Sequence, residues 1–225
     1  MDPFDQLLQE YRQSGEEQFS LNSVLWWRRK VRELYGSESR PRPPYKTPIQ
    51  WMKILKERYG PVGRKSISGK MYMFRYDPTT KQDLKYWDAL PLVMSLERTK
   101  DGFMGVNLHY LNRKRRGLLL TLLASNLKNA TEDDIDEGFL GEPNLRSIRT
   151  RFRTYDKIAS KQRLHKIVYP AIRRYKTKGM LSPLIEIPVT DWELAAYLPS
   201  DYFFVGESRA AIQRDSINKR KKKFG

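Results

Sequence analysis

Between Gly69 and Leu111 the chain alternates short apolar runs with turn residues, and that rhythm admits few folds. Lys70–Tyr76 (KMYMFRY) carries the aromatic and thioether side chains of a strand, and Asp77 with Pro78 closes it. Pro91–Leu96 (PLVMSL) reads as a second strand and Phe103–Leu108 (FMGVNL) as a third. Lys100, Asp101 and Gly102 between them form a hairpin turn signal. A further short strand is read at Leu184–Ile187 (LIEI). Helical periodicity dominates elsewhere. The expected class is therefore α+β: a small antiparallel sheet or barrel flanked by basic amphipathic helices, with an N-terminal helical extension.

That extension is read at residues 4–13, 23–35 and from Pro48 to Tyr59. Val24, Trp27, Val31 and Leu34 recur at helical spacing, and Trp51, Ile54, Leu55 and Tyr59 form a second apolar face. Residues 37–48, SESRPRPPYKTP, are rich in Pro, Ser and Arg and read as an extended linker. The expected division is a helical extension at 1–64, a core domain at 65–210 and a basic tail at 211–225. Trp26, Trp27 and Trp51 are candidate protein-docking residues. Either a partner or the chain's own domain would bury them.

After Asn112 a helix is expected, with Leu118, Leu119, Leu122, Leu123 and Leu127 along one face. Two basic helices are read further on. In the first, Ile148, Phe152, Tyr155 and Ile158 form the stripe. In the second, Leu164, Ile167, Val168, Ile172 and Tyr175 face inward, and Pro170 kinks or divides it. Thr190 and Glu193 have the spacing of a capping box opening a last helix.

Charge locates the candidate site. The chain has 225 residues and a net charge of +17, but the surplus is blocked rather than spread. Arg146–Lys178 holds twelve bases and one acid, and Lys219–Lys223 adds five more bases. Against them, Glu132–Glu142 holds six acids and no base, and reads as a solvated loop. Like charges in blocks repel, so they are solvated, disordered or matched to a partner. Arg113, Lys114, Arg115 and Arg116 stand where the helix dipole disfavours cations, which a bound polyanion would reverse. The candidate DNA-binding residues are Arg113, Lys114, Arg115 and Arg116; Arg149, Arg153 and Lys157 along one helix face; Arg173, Arg174, Lys176 and Lys178; and Lys219, Arg220, Lys221, Lys222 and Lys223.

Several chemistries are excluded or left without support. With no cysteine there is no disulfide, thiol catalysis or cysteine-ligated metal. Two histidines, His109 and His165, cannot make a histidine-rich metal centre. No nucleotide-binding fingerprint or other cofactor motif is present, and no apolar run approaches the roughly 18 residues of a membrane span. The N-terminus lacks a signal-peptide pattern, so a reducing, cytoplasm-like compartment is expected. Glu186 is a lone candidate carboxylate for a nuclease. No catalytic residue, metal site or cofactor is assigned, and a non-enzymatic role is expected.

The string GKMYMFRYDPTTKQDLKYWDALPLVMSLERTKDGFMGVNLHYLNRKRR resembles virion proteins of T-even-like tailed phages (myoviruses), which carry a YDP, PL, GF.G and NLHYL signature. The later segments IRRYK, TDWELAAYLPSDYF and VGESRAAI resemble the same family, so the likeness spans residues 69–209, poorly at 140–147. Trp87 stands where the family usually has tyrosine. The resemblance implies a late, virion-associated protein of the DNA end protector type, present in the host cytoplasm during assembly. Its implied partners are double-stranded DNA, bound without sequence specificity, and other phage structural proteins. The alternative it leaves open is a baseplate, neck or tail component docking through its basic surfaces and N-terminal helices.

Overall fold

The structure, a computed structural model, describes residues 3–35, 47–60, 69–128 and 162–204, with scattered positions between 211 and 218. The linker up to residue 46, the acidic loop, the helix bearing Arg149, Arg153 and Lys157, and the tail Lys219–Lys223 lie outside the described residues.

Five antiparallel strands form the central sheet: β1 (Met71–Met73), β3 (Leu92–Thr99), β4 (Gly102–Asn107), β5 (Ile172–Lys176) and β6 (Ile185–Ile187), in the order β5-β4-β3-β1-β6. A separate two-stranded ribbon joins β2 (Trp87–Asp88) to β7 (Phe203–Phe204). The expected strands and hairpin are present, and the protein is α+β. Alternation along the strands separates two apolar layers. Met71, Met73, Leu92, Met94 and Ile185 face the helices. Tyr72, Phe74, Val93, Phe103 and Tyr175 cluster on the opposite face. There Tyr175 meets the rings of Phe74 at 5.3 Å and Tyr76 at 5.0 Å.

The helices are α1 (Pro3–Gln13), α2 (Leu21–Tyr35), α3 (Pro48–Tyr59), α4 (Arg113–Lys128), α5 (Gln162–Val168) and α6 (Trp192–Tyr197). Thr47 caps α3 with a reciprocal capping box to Gln50. Close approach of α4 to α2 requires Gly117: a Cβ there would lie 2.3 Å from the Tyr197 hydroxyl and 2.7 Å from a Val24 methyl.

Three expectations need correction. First, α1 to α3 are not a separate extension. Leu7, Leu8, Trp27, Trp51 and Leu55 belong to the same buried cluster as Leu92, Leu119 and Trp192, and so does Ile212 from the expected tail. Trp27 stacks on Tyr197 with ring centroids 6.2 Å apart. Arg58 of α3 bonds Asp5 at 2.7 Å, and Tyr59 donates to Asp191 at 2.6 Å. Trp27 and Trp51 are thus buried by the chain's own core, and Trp26 packs partly against it. They are not free docking residues.

Second, Arg173–Lys178 does not end a helix. Pro170 lacks an amide hydrogen, so α5 ends at Val168 and one short 3-10 turn, Tyr169–Ala171, follows it. IRRYK then runs as β5 along β4, with Phe103 opposite Tyr175 and Gly105 opposite Arg173. The β4 edge otherwise presents unpaired backbone groups. Third, no capping box forms at Thr190. A 3-10 turn precedes α6, whose N-cap Asp191 makes no side-chain cap bond. Glu193 turns inward instead, accepting from Tyr11 Oη (3.1 Å), Phe19 N (3.1 Å) and Ser23 Oγ (2.5 Å). Burial pushes its carboxyl above the ordinary range. That cost to the folded state is full above the raised pKa and disappears as pH falls toward the unfolded value of about 4.3.

Candidate nucleic-acid interface

The hairpin β3–β4 and the edge strand β5 place cations together at one end of the sheet. Thr99 pairs with Gly102, and Gly102 with Lys176 on its other side. Thr177 N donates to Asp101 O at 2.8 Å, which ties the end of β5 to the hairpin tip. Arg98, Lys100, Arg174 and Lys178 are exposed there, and Lys176 is half-buried. Arg174 bonds Asp101 at 2.6 Å, and that contact holds the Asp101 carboxyl below its ordinary value. No described carboxylate pairs with Arg98, Lys100, Lys176 or Lys178. The two-residue spacing of Arg174 and Lys176 puts both on one face of the edge strand.

Arg98 and Lys100 are not among the binding residues expected from the sequence, although both stand in RTKDG, where Lys100 opens the hairpin turn signal. Arg173 is drawn away from solvent. Its guanidinium lies 3.9 Å from the centroid of the Tyr110 ring and donates to Pro170 O and Ile172 O. Burial pushes the Tyr110 hydroxyl up to about 12.

The four-residue run at the start of α4 divides by face. Lys114 is exposed and Arg115 half-buried, whereas Arg113 and Arg116 are buried. Arg116 donates from Nε to Leu111 O at 2.9 Å, from Nη1 to Ala196 O at 2.7 Å and from Nη2 to His109 O at 3.4 Å. Arg116 is therefore a structural cation, not a phosphate contact, and the i, i+3 spacing puts the buried Arg113 on the same inward face.

A buried polar chain lies beside this helix start. His109 Nδ1 is 2.7 Å from Asp88 Oδ2, and His109 Nε2 is 3.1 Å from Ser200 Oγ. That is the connectivity of a Ser-His-Asp nucleophile. Ser200, His109 and Asp88 are, however, only 2%, 0% and 3% exposed. The cavity next to Ser200, walled by Trp51 and Leu55, holds about 10 Å³. That volume has room for one water at most and none for a substrate. Asp88 also accepts from Asn107 Nδ2 at 2.9 Å and from Leu90 N at 3.1 Å, so the group is a structural staple.

The nuclease candidate Glu186 is paired with Lys70 at 2.5 Å. Among the described residues no three His, Asp or Glu gather as a metal site, and no helix is long and apolar enough to cross a membrane.

The arrangement defines a class: an α+β protein whose helices close over one face of an antiparallel sheet, with a basic hairpin tip at the sheet's edge. The family described as phage T4 terminal DNA protecting protein matches residues 16–137, over half of the chain, and the protein belongs to that family. No curated protein and no solved structure matches the chain.

Proposed function

We propose that the protein is a non-enzymatic, virion-associated binder of double-stranded DNA that occupies DNA ends and shields or retains packaged DNA. The observation that carries this reading is the hairpin tip. Arg98, Lys100, Lys176 and Lys178 meet no described carboxylate, in a chain whose family is described as DNA-protecting. Cations without base-reading motifs contact phosphates, so binding is sequence-independent. Lys114, exposed at the start of α4, is a further candidate phosphate contact. The rival reading, a baseplate, neck or tail component docking through its basic surfaces and N-terminal helices, loses the support of Trp27 and Trp51, which are buried. Contacts with other phage proteins are a further part of the proposal.

Salt dependence tests the phosphate term. If six to ten phosphates are neutralised, affinity for duplex DNA falls about 10³–10⁵-fold between 50 and 200 mM salt. Changing Lys100, Lys176 and Lys178 together to Ala should make that slope shallower by about three. A flat response in the wild-type chain would contradict the proposal.

A further inference from the structure

The ribbon β2–β7 forms one wall of an open pocket of about 500 Å³, within the ~300–1,000 Å³ range of small-molecule sites. The Trp87 and Phe204 rings stack there at 5.3 Å and 25°, and Tyr202 meets Phe204 edge-on at 5.5 Å. Of the residues lining it, Phe204 is 45% exposed and Leu181 54%. Large apolar groups left this open mark binding surfaces.

One polar feature indicates what such a pocket would hold. Arg75 lines it, and no described carboxylate pairs with its guanidinium. The other charges, Lys81 and Asp77, satisfy each other at 2.8 Å. The remaining charge is thus positive, beside flat π surfaces.

From these features we infer that the pocket takes a single unpaired nucleotide from a DNA end, its base stacked on the Trp87–Phe204 pair and its phosphate on Arg75. The inference rests on the DNA-binding reading and supplies it with a source of end preference. Every base presents a π face, so stacking is sequence-tolerant. An apolar peptide would satisfy the rings but leave Arg75 unanswered. A closed circle offers no free base, whereas a frayed end releases one at least cost.

The test compares the full chain on three labelled duplexes of equal length. One has a mismatched terminal pair at each end, one has fully paired blunt ends, and one is ligated into a relaxed, covalently closed circle. Affinity should fall in that order. Trp87→Ala should weaken binding to the mismatched duplex about tenfold and erase the order, with the salt slope unchanged; Trp87→Phe should retain most of the preference. Phe204→Ala, at a half-exposed site, should act in the same direction and decides the matter if Trp87→Ala does not fold. Equal order and affinity in the Phe204 variant and in a folded Trp87→Ala would overturn the pocket assignment while leaving DNA binding intact. Absence of DNA binding by the wild-type chain would overturn both readings.

Discussion

Replacing Asp88 with alanine should destabilise the protein by about 4–6 kcal/mol, a large part of the 5–15 kcal/mol that holds an ordinary domain together. The carboxylate collects four donors from separate parts of the chain: Asn107 Nδ2, His109 Nδ1, Leu90 N and, at 3.4 Å, Tyr202 N. It thereby joins the ribbon strand β2 to the end of β4 and to the segment entering β7. The bonds from Asn107, His109 and Leu90 are buried, and each donor left unsatisfied costs about 1–3 kcal/mol. Denaturant unfolding measures the loss as a lowered midpoint at unchanged slope. Ser200→Ala should cost only about 1 kcal/mol, because it removes one hydroxyl at the periphery of the chain. A near-wild-type midpoint for Asp88→Ala would contradict the staple.

Arg116→Met is the second large effect, with an expected loss of about 3–5 kcal/mol. The guanidinium is 0% exposed and serves carbonyls of His109, Leu111 and Ala196. It fastens the start of α4 to the end of α6, so its loss strands acceptors on both. Methionine fills much of the volume, so the measured cost isolates the hydrogen bonds from the cavity. Lys114→Ala, two residues away and exposed, should change stability by no more than about 0.5 kcal/mol. The two variants should also separate in DNA binding. Lys114→Ala weakens it in the folded protein, and Arg116→Met changes it only through the folded fraction.

That contrast shows where residue patterns sufficed. The hairpin was legible because KDG and the flanking apolar runs specify both turn and strands locally. Helices α1 to α4 were legible from 3.6-residue periodicity. Reading Arg113–Arg116 as one block was the error, since a run of four samples every face of a helix. The signal was available: Arg116 stands three, four and seven residues before Leu119, Leu120 and Leu123, all buried. It therefore lies on their stripe. Sequence-local reasoning also made IRRYK a helix end, although Pro170 and the β-branched and aromatic residues suited an edge strand. Whether β4 had an open edge to receive it is a tertiary fact. Glu193 is similar: its spacing from Thr190 fits a cap, but the donors it meets come from residues 11, 19 and 23, far away in the chain. For the tryptophans, burial by a partner and burial by the chain's own domain both stood open, although their apolar stripe already matched a core-facing helix.

The pocket at Trp87 and Phe204 was not legible at all. Its walls come from residues about 115 positions apart, paired only in the folded ribbon. By contrast, the basic character of the site was visible from the charge blocks. Of the proposed site, the described part is the hairpin tip, the end of β5 and Lys114.

Exonuclease digestion of linear duplex DNA in the presence of the protein tests the central claim most directly. The account predicts that saturating protein preserves linear DNA from an enzyme that starts at ends. It also predicts that linear DNA outcompetes closed circular DNA of the same sequence for the protein. Digestion at the unprotected rate, with linear and circular DNA competing equally, would contradict it.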